Sequence, residues 1–427
     1  MTPVAFDLTR LVTRLRHASP SGIDRVDLAY ARRFLDGDGP RHGLVSTAFG
    51  PKVLGREAAR AIVDRVVAGW VEEIAAEDDP VLAALAARLS GGPPPPIRPR
   101  PRDASQLGRR RAQAEAAAVI ARGAGAAALP DGTLYLHTSH LRLDRPERFD
   151  WLYDRPDVRA AFFVHDLIPI EYPEYGRPGE AARHRVRMET VARHADLVVA
   201  NSTDVGRRYA SHVATIGRPP RPVVAAPLGI EPAFSERAGP TLLTARPTFV
   251  AVSTIEARKN HILLLNLWRA LAERHGSATP HLVIVGRRGW EAENVVDMLD
   301  RCEAIRPHVT EVVGLSTAGL VRLLRSATAL LMPSFAEGYG LPVVEAAAAG
   351  APVVASDIPV HREVGAGFAH LVDPLDGPGW MAAVGALSDP ASDLRGRLAG
   401  LSLAHPPPTW PAHFAILDAA LAQHGLA

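Results

Sequence analysis

Two strings in the second half of this 427-residue chain combine glycines, carboxylates and cations in a way suited to phosphate chemistry. The first is Pro333-Ser334-Phe335-Ala336-Glu337-Gly338-Tyr339-Gly340-Leu341-Pro342-Val343-Val344-Glu345-Ala346, directly after an apolar run. Pro342 suits the first turn of a helix and Gly350 its end. Glycines let backbone N–H groups approach an anion closely, and a helix N-terminus favours negative charge. The string therefore reads as a phosphate cradle. Glu345 falls in the first turn or so, near the mouth of a cleft, where a carboxylate is a good acceptor for sugar hydroxyls. The plainer reading is a tight strand-to-helix turn with two solvated carboxylates. The second string, Ser253-Thr254-Ile255-Glu256-Ala257-Arg258-Lys259-Asn260, again joins a strand to a helix. Its adjacent cations can neutralise a diphosphate that gains charge as its bond breaks, although paired cations in loops are commonly just solvated. Composition sharpens the choice: Lys and Arg total 48, yet only Lys52 and Lys259 are lysine. Lys259 thus marks a position where a compact ammonium is required, whereas Lys52 falls in an expected loop with no motif around it.

These loops need elements to hold them. Beyond Pro247, short β-branched runs alternate with helical stretches: Thr248 to Ser253, His281 to Gly286, Val309 to Gly314, Ala329 to Ser334, Ala351 to Ser356 and Ala369 to Asp373. Asn260 to His275 reads as a helix with Asn260 as N-cap and Gly276 as its stop. Strands apolar on both faces and separated by helices imply a parallel sheet covered on both sides. The first half is similar in kind, with strands near Val4 to Leu8, Leu44 to Ser46, Leu134 to His137, Ala160 to Val164, Leu197 to Ala200 and Pro222 to Ala226, and a helix from Ile23 to Leu35. A helical insertion at about 56–128 is broken by the proline-rich Gly91 to Asp103, expected to be extended polyproline. The chain therefore divides into a first Rossmann-like domain (1–235), a second Rossmann-like domain (236–408) and a C-terminal helix (409–427) packing back toward the first. Two such domains face each other across a cleft, where ligands of these folds bind.

Bulk composition excludes other classes. Hydrophobic residues are 47% and charged residues 22%, with a net charge of +2, which suits neither a disordered chain nor one built to hold nucleic acid. Cys302 is the only cysteine, so no internal disulfide or thiolate metal cluster can form. No apolar run has signal-peptide or membrane-span character, and a cytoplasmic protein is expected. Asp36-Gly37-Asp38 reads as a surface turn, and no metal and no other cofactor is expected. Arg122-Gly123-Ala124-Gly125-Ala126 follows a helix and is no dinucleotide fingerprint. Two basic groups, Arg98, Arg100, Arg102, Arg109, Arg110 and Arg111, then Arg183, His184, Arg185, Arg187 and Arg193, are either solvated faces or a peripheral contact with anionic lipid at the inner face of the membrane.

The two strings, with Glu337 and Glu345 separated by seven residues downstream of Arg258-Lys259, resemble glycosyltransferase family 4, the retaining enzymes of GT-B architecture. Ser21-Gly22-Ile23-Asp24-Arg25-Val26 is similar to that family's N-terminal glycine turn, and Val164-His165-Asp166-Leu167-Ile168-Pro169 to its His-Asp loop. Ala195 to Ser202, Pro227 to Ile230, Val285-Gly286-Arg287-Arg288-Gly289-Trp290 and Ser356 to Pro359 follow in family order. The insertion has no aligned counterpart. The resemblance implies a catalytic set of Glu337, His165, Lys259 and Arg258. It implies donor binding by Gly22, Arg258, Lys259, Gly286, Glu337, Gly338, Tyr339, Gly340, Leu341 and Glu345, with Asp166 on the acceptor side. It implies a nucleoside-diphosphate sugar donor, hexosyl transfer with mannose and hence GDP-mannose favoured, and a glycan or lipid-linked acceptor. A nucleotide-sugar epimerase of the same architecture and a non-catalytic nucleotide-sugar-binding scaffold are the competing readings.

Overall fold

Alternate residues along the strands face different cores, so each sheet is covered on both sides. In the computed structural model, which describes residues 2–17, 19–70, 74–92, 102–236 and 239–426, the first sheet contains β1 (Val4–Asp7), β2 (Arg41–Thr47), β3 (Gly50–Gly55), β4 (Leu134–His137), β5 (Arg159–Val164), β6 (Leu197–Ala200) and β7 (Val223–Ala225). Their order is β3-β2-β1-β4-β5-β6-β7, parallel except for the β2–β3 hairpin. The second sheet contains β8 (Thr248–Val252), β9 (His281–Val285), β10 (Val309–Val312), β11 (Ala329–Met332), β12 (Val353–Ser356) and β13 (Ala369–Val372). It is wholly parallel, in the order β10-β9-β8-β11-β12-β13. On β5, Phe163 joins one core and Phe162 another; on β11, Leu330 and Leu331 divide in the same way. One hydrophobic cluster contains residues of both sheets, Phe6 and Phe163 from the first with Val250 and Leu330 from the second. The molecule is thus two parallel-sheet α/β domains, as expected.

The differences from expectation have local causes. β3 was not anticipated, because Gly50-Pro51-Lys52-Val53-Leu54-Gly55 offers only two apolar residues between glycines. It is an antiparallel edge strand, the setting that tolerates proline. Lys52 therefore lies in a strand rather than a loop, its Nζ donating to the Gly123 carbonyl at 3.1 Å. The helix His261–His275 stops at Gly276 as expected, but Asn260 sits at φ 55° and makes no side-chain cap. Its Nδ2 instead donates to the Pro374 carbonyl at 3.0 Å.

The insertion forms helices Arg56–Ala68, Pro80–Leu89 and Arg102–Ala121; residues 93–101 of the expected polyproline stretch lie outside the described residues, and Arg102 and Asp103 at its end begin the third helix instead. Its middle helix reaches across to the second domain. Buried Asp79 accepts the Val81 N–H at 2.9 Å at the start of its own helix. Its other oxygen accepts the Ser316 N–H at 2.8 Å, beside the start of the helix Thr317–Ser326. One carboxylate therefore serves two helix N-termini. The helix Trp410–Gln423 lies against the first domain, where the His413 ring is 2.7 Å from the Tyr30 hydroxyl.

Candidate functional site

The carboxyl ends of the two sheets carry the loops singled out by sequence. In the second domain, a short turn after β8 (Ala257–Lys259) and the loop after β11 meet in an ion cluster. Arg258 Nη1 donates to Glu337 Oε2 at 2.9 Å and to the Ala336 carbonyl at 2.8 Å, while Nη2 lies 2.7 Å from Glu256 Oε1. Lys259 Nζ donates to the other oxygen of Glu337. Burial opposes the charge on Arg258, but Glu337 and Glu256 overcome it and hold the guanidinium firmly protonated. Burial likewise opposes ionisation of Glu337, yet Lys259 and Arg258 carry its carboxyl well below the usual range. Burial, followed by the Arg258 charge, pulls the Lys259 ammonium below its ordinary value. The cluster is a set of fixed charges screened from water, with cations able to exchange a carboxylate for an incoming anion.

The glycine string then turns into a helix, Leu341–Ala348. Gly340 adopts φ +88° at its N-cap, and a Cβ there would also lie 3.2 Å from His361 Nε2. Tyr339 does not aim its side chain at the cradle: buried, it donates its hydroxyl to the Leu228 carbonyl at 3.2 Å. Glu345 is buried rather than open at the cleft mouth, and it accepts Arg25 Nη1 of the opposite domain at 2.8 Å. Gly286 ends β9 so close to β8 that a Cβ would stand 1.8 Å from the Ser253 carbonyl.

The first domain supplies the facing wall. Ser21 and Asp24 open the helix Gly22–Leu35, the Ser21 N–H donating to Asp24 Oδ2 at 2.7 Å, and Arg10 and Arg14 fix Asp24 at 2.6 and 2.8 Å. Gly22 faces Leu341, whose Cδ1 lies 3.4 Å from the position of an added Cβ. Gly338 meets the His-Asp loop: a Cβ there would lie 2.4 Å from the His165 carbonyl oxygen and 3.2 Å from Asp166 Cβ. The structure thus brings Gly338 against His165-Asp166, and Gly22 against Leu341.

His165 is buried, with Nε2 2.7 Å from the Thr138 carbonyl, so that nitrogen carries the proton. Burial pulls its pKa down to about 4, against the Thr138 carbonyl and Asp166. It is a neutral imidazole at neutral pH. Its own carbonyl accepts Asn201 Nδ2 at 2.9 Å, and the Asp166 carbonyl is held by His184 Nε2 at 3.0 Å. The His140 ring lies between His165 and His184, with centroids 5.2 and 4.9 Å away.

Sequence reasoning did not single out Arg25, Glu256, Asn201, His140 or His361. Arg25, Glu256 and Asn201 stood inside quoted motifs; His140 and His361 carried no local signal. Of the basic groups, Arg183 pairs with Asp144 and Glu180, and Arg111 with Glu115. Asp36 pairs with Arg60 at the surface. Among the described residues, no helix is long and apolar enough to cross a membrane.

Residues 246–389 match the family model of glycosyl transferases group 1. Over 219 residues the chain is 29% identical to the serotype-specific mannosyltransferase WbdA of Escherichia coli, a match covering 48% of this chain and 27% of that protein. Over 137 residues it is 34% identical to the O-antigen chain mannosyltransferase RfbU of Salmonella typhimurium, covering 32% of this chain and 37% of the relative. The chain thus spans only part of the length of these relatives. The structure of HepE from Anabaena in complex with UDP-glucose aligns over 99% of this chain and 100% of that one, with a TM-score of 0.62 at 14% identity. Residues 246–389 thus match glycosyl transferases group 1, within a fold of two parallel-sheet domains, the GT-B architecture.

Proposed function

We propose that the protein is a retaining glycosyltransferase that moves a hexose, mannose in preference, from a nucleoside-diphosphate sugar to a glycan or lipid-linked glycan. The observation that carries this reading is the screened Arg258-Lys259-Glu337 cluster at the start of a helix in a glycosyl transferases group 1 domain. In this reading Arg258, Lys259 and the amides of Gly338 to Leu341 hold the diphosphate, and Glu337 grips the donor sugar. Glu345 takes the ribose hydroxyls. Arg25, which pairs with Glu345, is displaced or shared when they arrive. Gly22 and Gly286 let backbone approach the donor, and neutral His165 beside the transferred sugar is hydrogen-bonded rather than charged. Asp166 lies toward the acceptor.

Transfer proceeds on one face of the sugar. The bond from the anomeric carbon to the diphosphate oxygen breaks as the bond to the acceptor hydroxyl forms, and the departing oxygen takes the hydroxyl proton. Fixed cations stabilise the growing phosphate charge without reorganising, so the protein's own side chains supply the neutralisation. The names of the mannosyltransferase relatives support mannose as the sugar transferred; GDP-mannose as donor and a cytoplasmic surface-polysaccharide pathway as setting are the corresponding parts of the proposal.

Lys259→Ala and Glu345→Ala should each lower donor consumption about 10²-fold, measured as nucleoside diphosphate released. Turnover within about threefold of wild type in both variants would sink the assignment. Thermal shifts with GDP, UDP and ADP name the base, since a bound ligand raises stability as RT ln(1 + [L]/Kd).

A further inference from the structure

A line of aromatic rings crosses from the first domain to the second beside the ion cluster. Tyr172 and Tyr175, a few residues beyond His165-Asp166, have ring centroids 6.0 Å apart and planes 22° from parallel. Tyr175 in turn stacks on Phe335 of the second domain at 5.9 Å and 8°. Phe335 is tied to the cation loop, its N–H donating to the Arg258 carbonyl at 2.8 Å, and Glu337 follows it by two residues. Trp290 Nε1 donates to the Tyr175 carbonyl at 3.1 Å, and the Arg177 guanidinium stands 5.4 Å from the Trp290 ring centroid. Tyr172 and Trp290 are 37% and 36% exposed, so part of each ring meets water.

A mere contact between domains would bury these rings. Here two of the rings are kept partly open, with the Arg177 guanidinium over the Trp290 ring. A pyranose matches such a surface: the C–H groups on one face of the ring meet the negative face of an aromatic ring, while its hydroxyls reach polar groups at the rim. Tyr172 follows His165-Asp166 by a few residues in the first domain and Phe335 is joined to the cation loop, so the rings adjoin the stretches assigned to the acceptor and to the donor diphosphate. We infer that Tyr172 and Trp290 form the stacking platform that positions a pyranose of the glycan acceptor. This rests on the glycosyltransferase reading and adds to it the residues that position the acceptor.

Saturation-transfer NMR with methyl α-D-mannopyranoside and methyl α-D-glucopyranoside, with GDP or UDP present, tests the platform. The expected result is transfer to ring C–H protons of at least one sugar. Affinity should fall about tenfold in Tyr172→Ala and in Trp290→Ala, and return to within about threefold of wild type in Tyr172→Phe and Trp290→Phe. Calorimetric titration with the diphosphate should stay within about twofold in all four variants, showing an intact donor half. Wild-type protein that binds a diphosphate but neither sugar overturns the platform and leaves the glycosyltransferase reading standing. Sugar affinity unchanged in both alanine variants also overturns it, making the rings a contact between domains only. Failure to bind either diphosphate removes the underlying reading, and the platform with it.

Discussion

The two walls of the cleft are held by different forces. On the second domain, Glu256, Arg258, Lys259 and Glu337 form an ion cluster in which the carboxylates and Lys259 are buried and Arg258 is partly exposed. On the first domain, His140, His165 and His184 are all kept toward the neutral form by burial, and they are placed by hydrogen bonds involving backbone groups. Fixed charge is useful where a reaction develops charge, as at a departing diphosphate. A neutral, desolvated wall is useful where an uncharged sugar must be oriented. In the proposed reading the charge-stabilising cluster and the neutral histidine cluster fall to different domains, although the first domain also carries the Arg10-Arg14-Asp24 ion cluster beside its glycine turn.

Three experiments can break or sharpen that contrast. The largest effect is expected where the walls touch. Gly338→Ala would force a carbon to within 2.4 Å of the His165 carbonyl, so the walls must part. Because small misplacements in a site can cost about 10²-fold, turnover should drop by about that factor while GDP or UDP binding changes far less. Equal loss of both would mean that the donor wall is not independent of its neighbour. Next is Asn201→Ala, which strips the donor from the buried His165 carbonyl. It should cost about 1–3 kcal/mol in urea unfolding and raise acceptor KM more than donor KM; a donor-side effect alone would break the contrast.

The smallest effect concerns pH. The His165 pKa of about 4 lies below its unfolded value of 6.5, so the unfolded chain binds the extra proton between these values. Its contribution to stability is complete above pH 6.5 and is lost as pH falls toward 4. His165→Gln should therefore flatten the acid slope of unfolding free energy by up to about 1.4 kcal/mol per pH unit. An unchanged slope in urea titrations at pH 7, 6 and 5 would show that folding does not lower the pKa of the imidazole. Glu337 is shifted in the same direction, but its window opens only below its ordinary value of 4.5, so its ionised contribution persists from pH 7 to 5.

Much of the fold was legible because parallel strands write themselves as continuous apolar runs, as at His281–Val285 and Ala329–Met332. β3 was not, because an edge strand needs few apolar residues and Pro51 disguised it. Arg258, Lys259 and Glu337 could be singled out because glycine, charge and a strand end coincide within a few residues. The pairing of Arg25 with Glu345 joins positions 320 residues apart, and nothing local in either helix announces the partner. Nor does the pattern around Tyr339 show that its hydroxyl serves the Leu228 carbonyl. Long-range polar pairs of this kind arise from domain docking, which leaves no periodicity behind.

Asp79 gives the insertion a meaning that its sequence position conceals. A single carboxylate spanning two helix starts from different domains is a shared fastening. A fragment cut at the linker and carrying residues 246–389 alone would retain Ser316 but lose the oxygen that receives its amide. Trimming the insertion as a dispensable surface loop would inflict the same wound from the other side. The autonomy of the second half, evident in its sheet, therefore ends at one helix terminus that belongs chemically to the first.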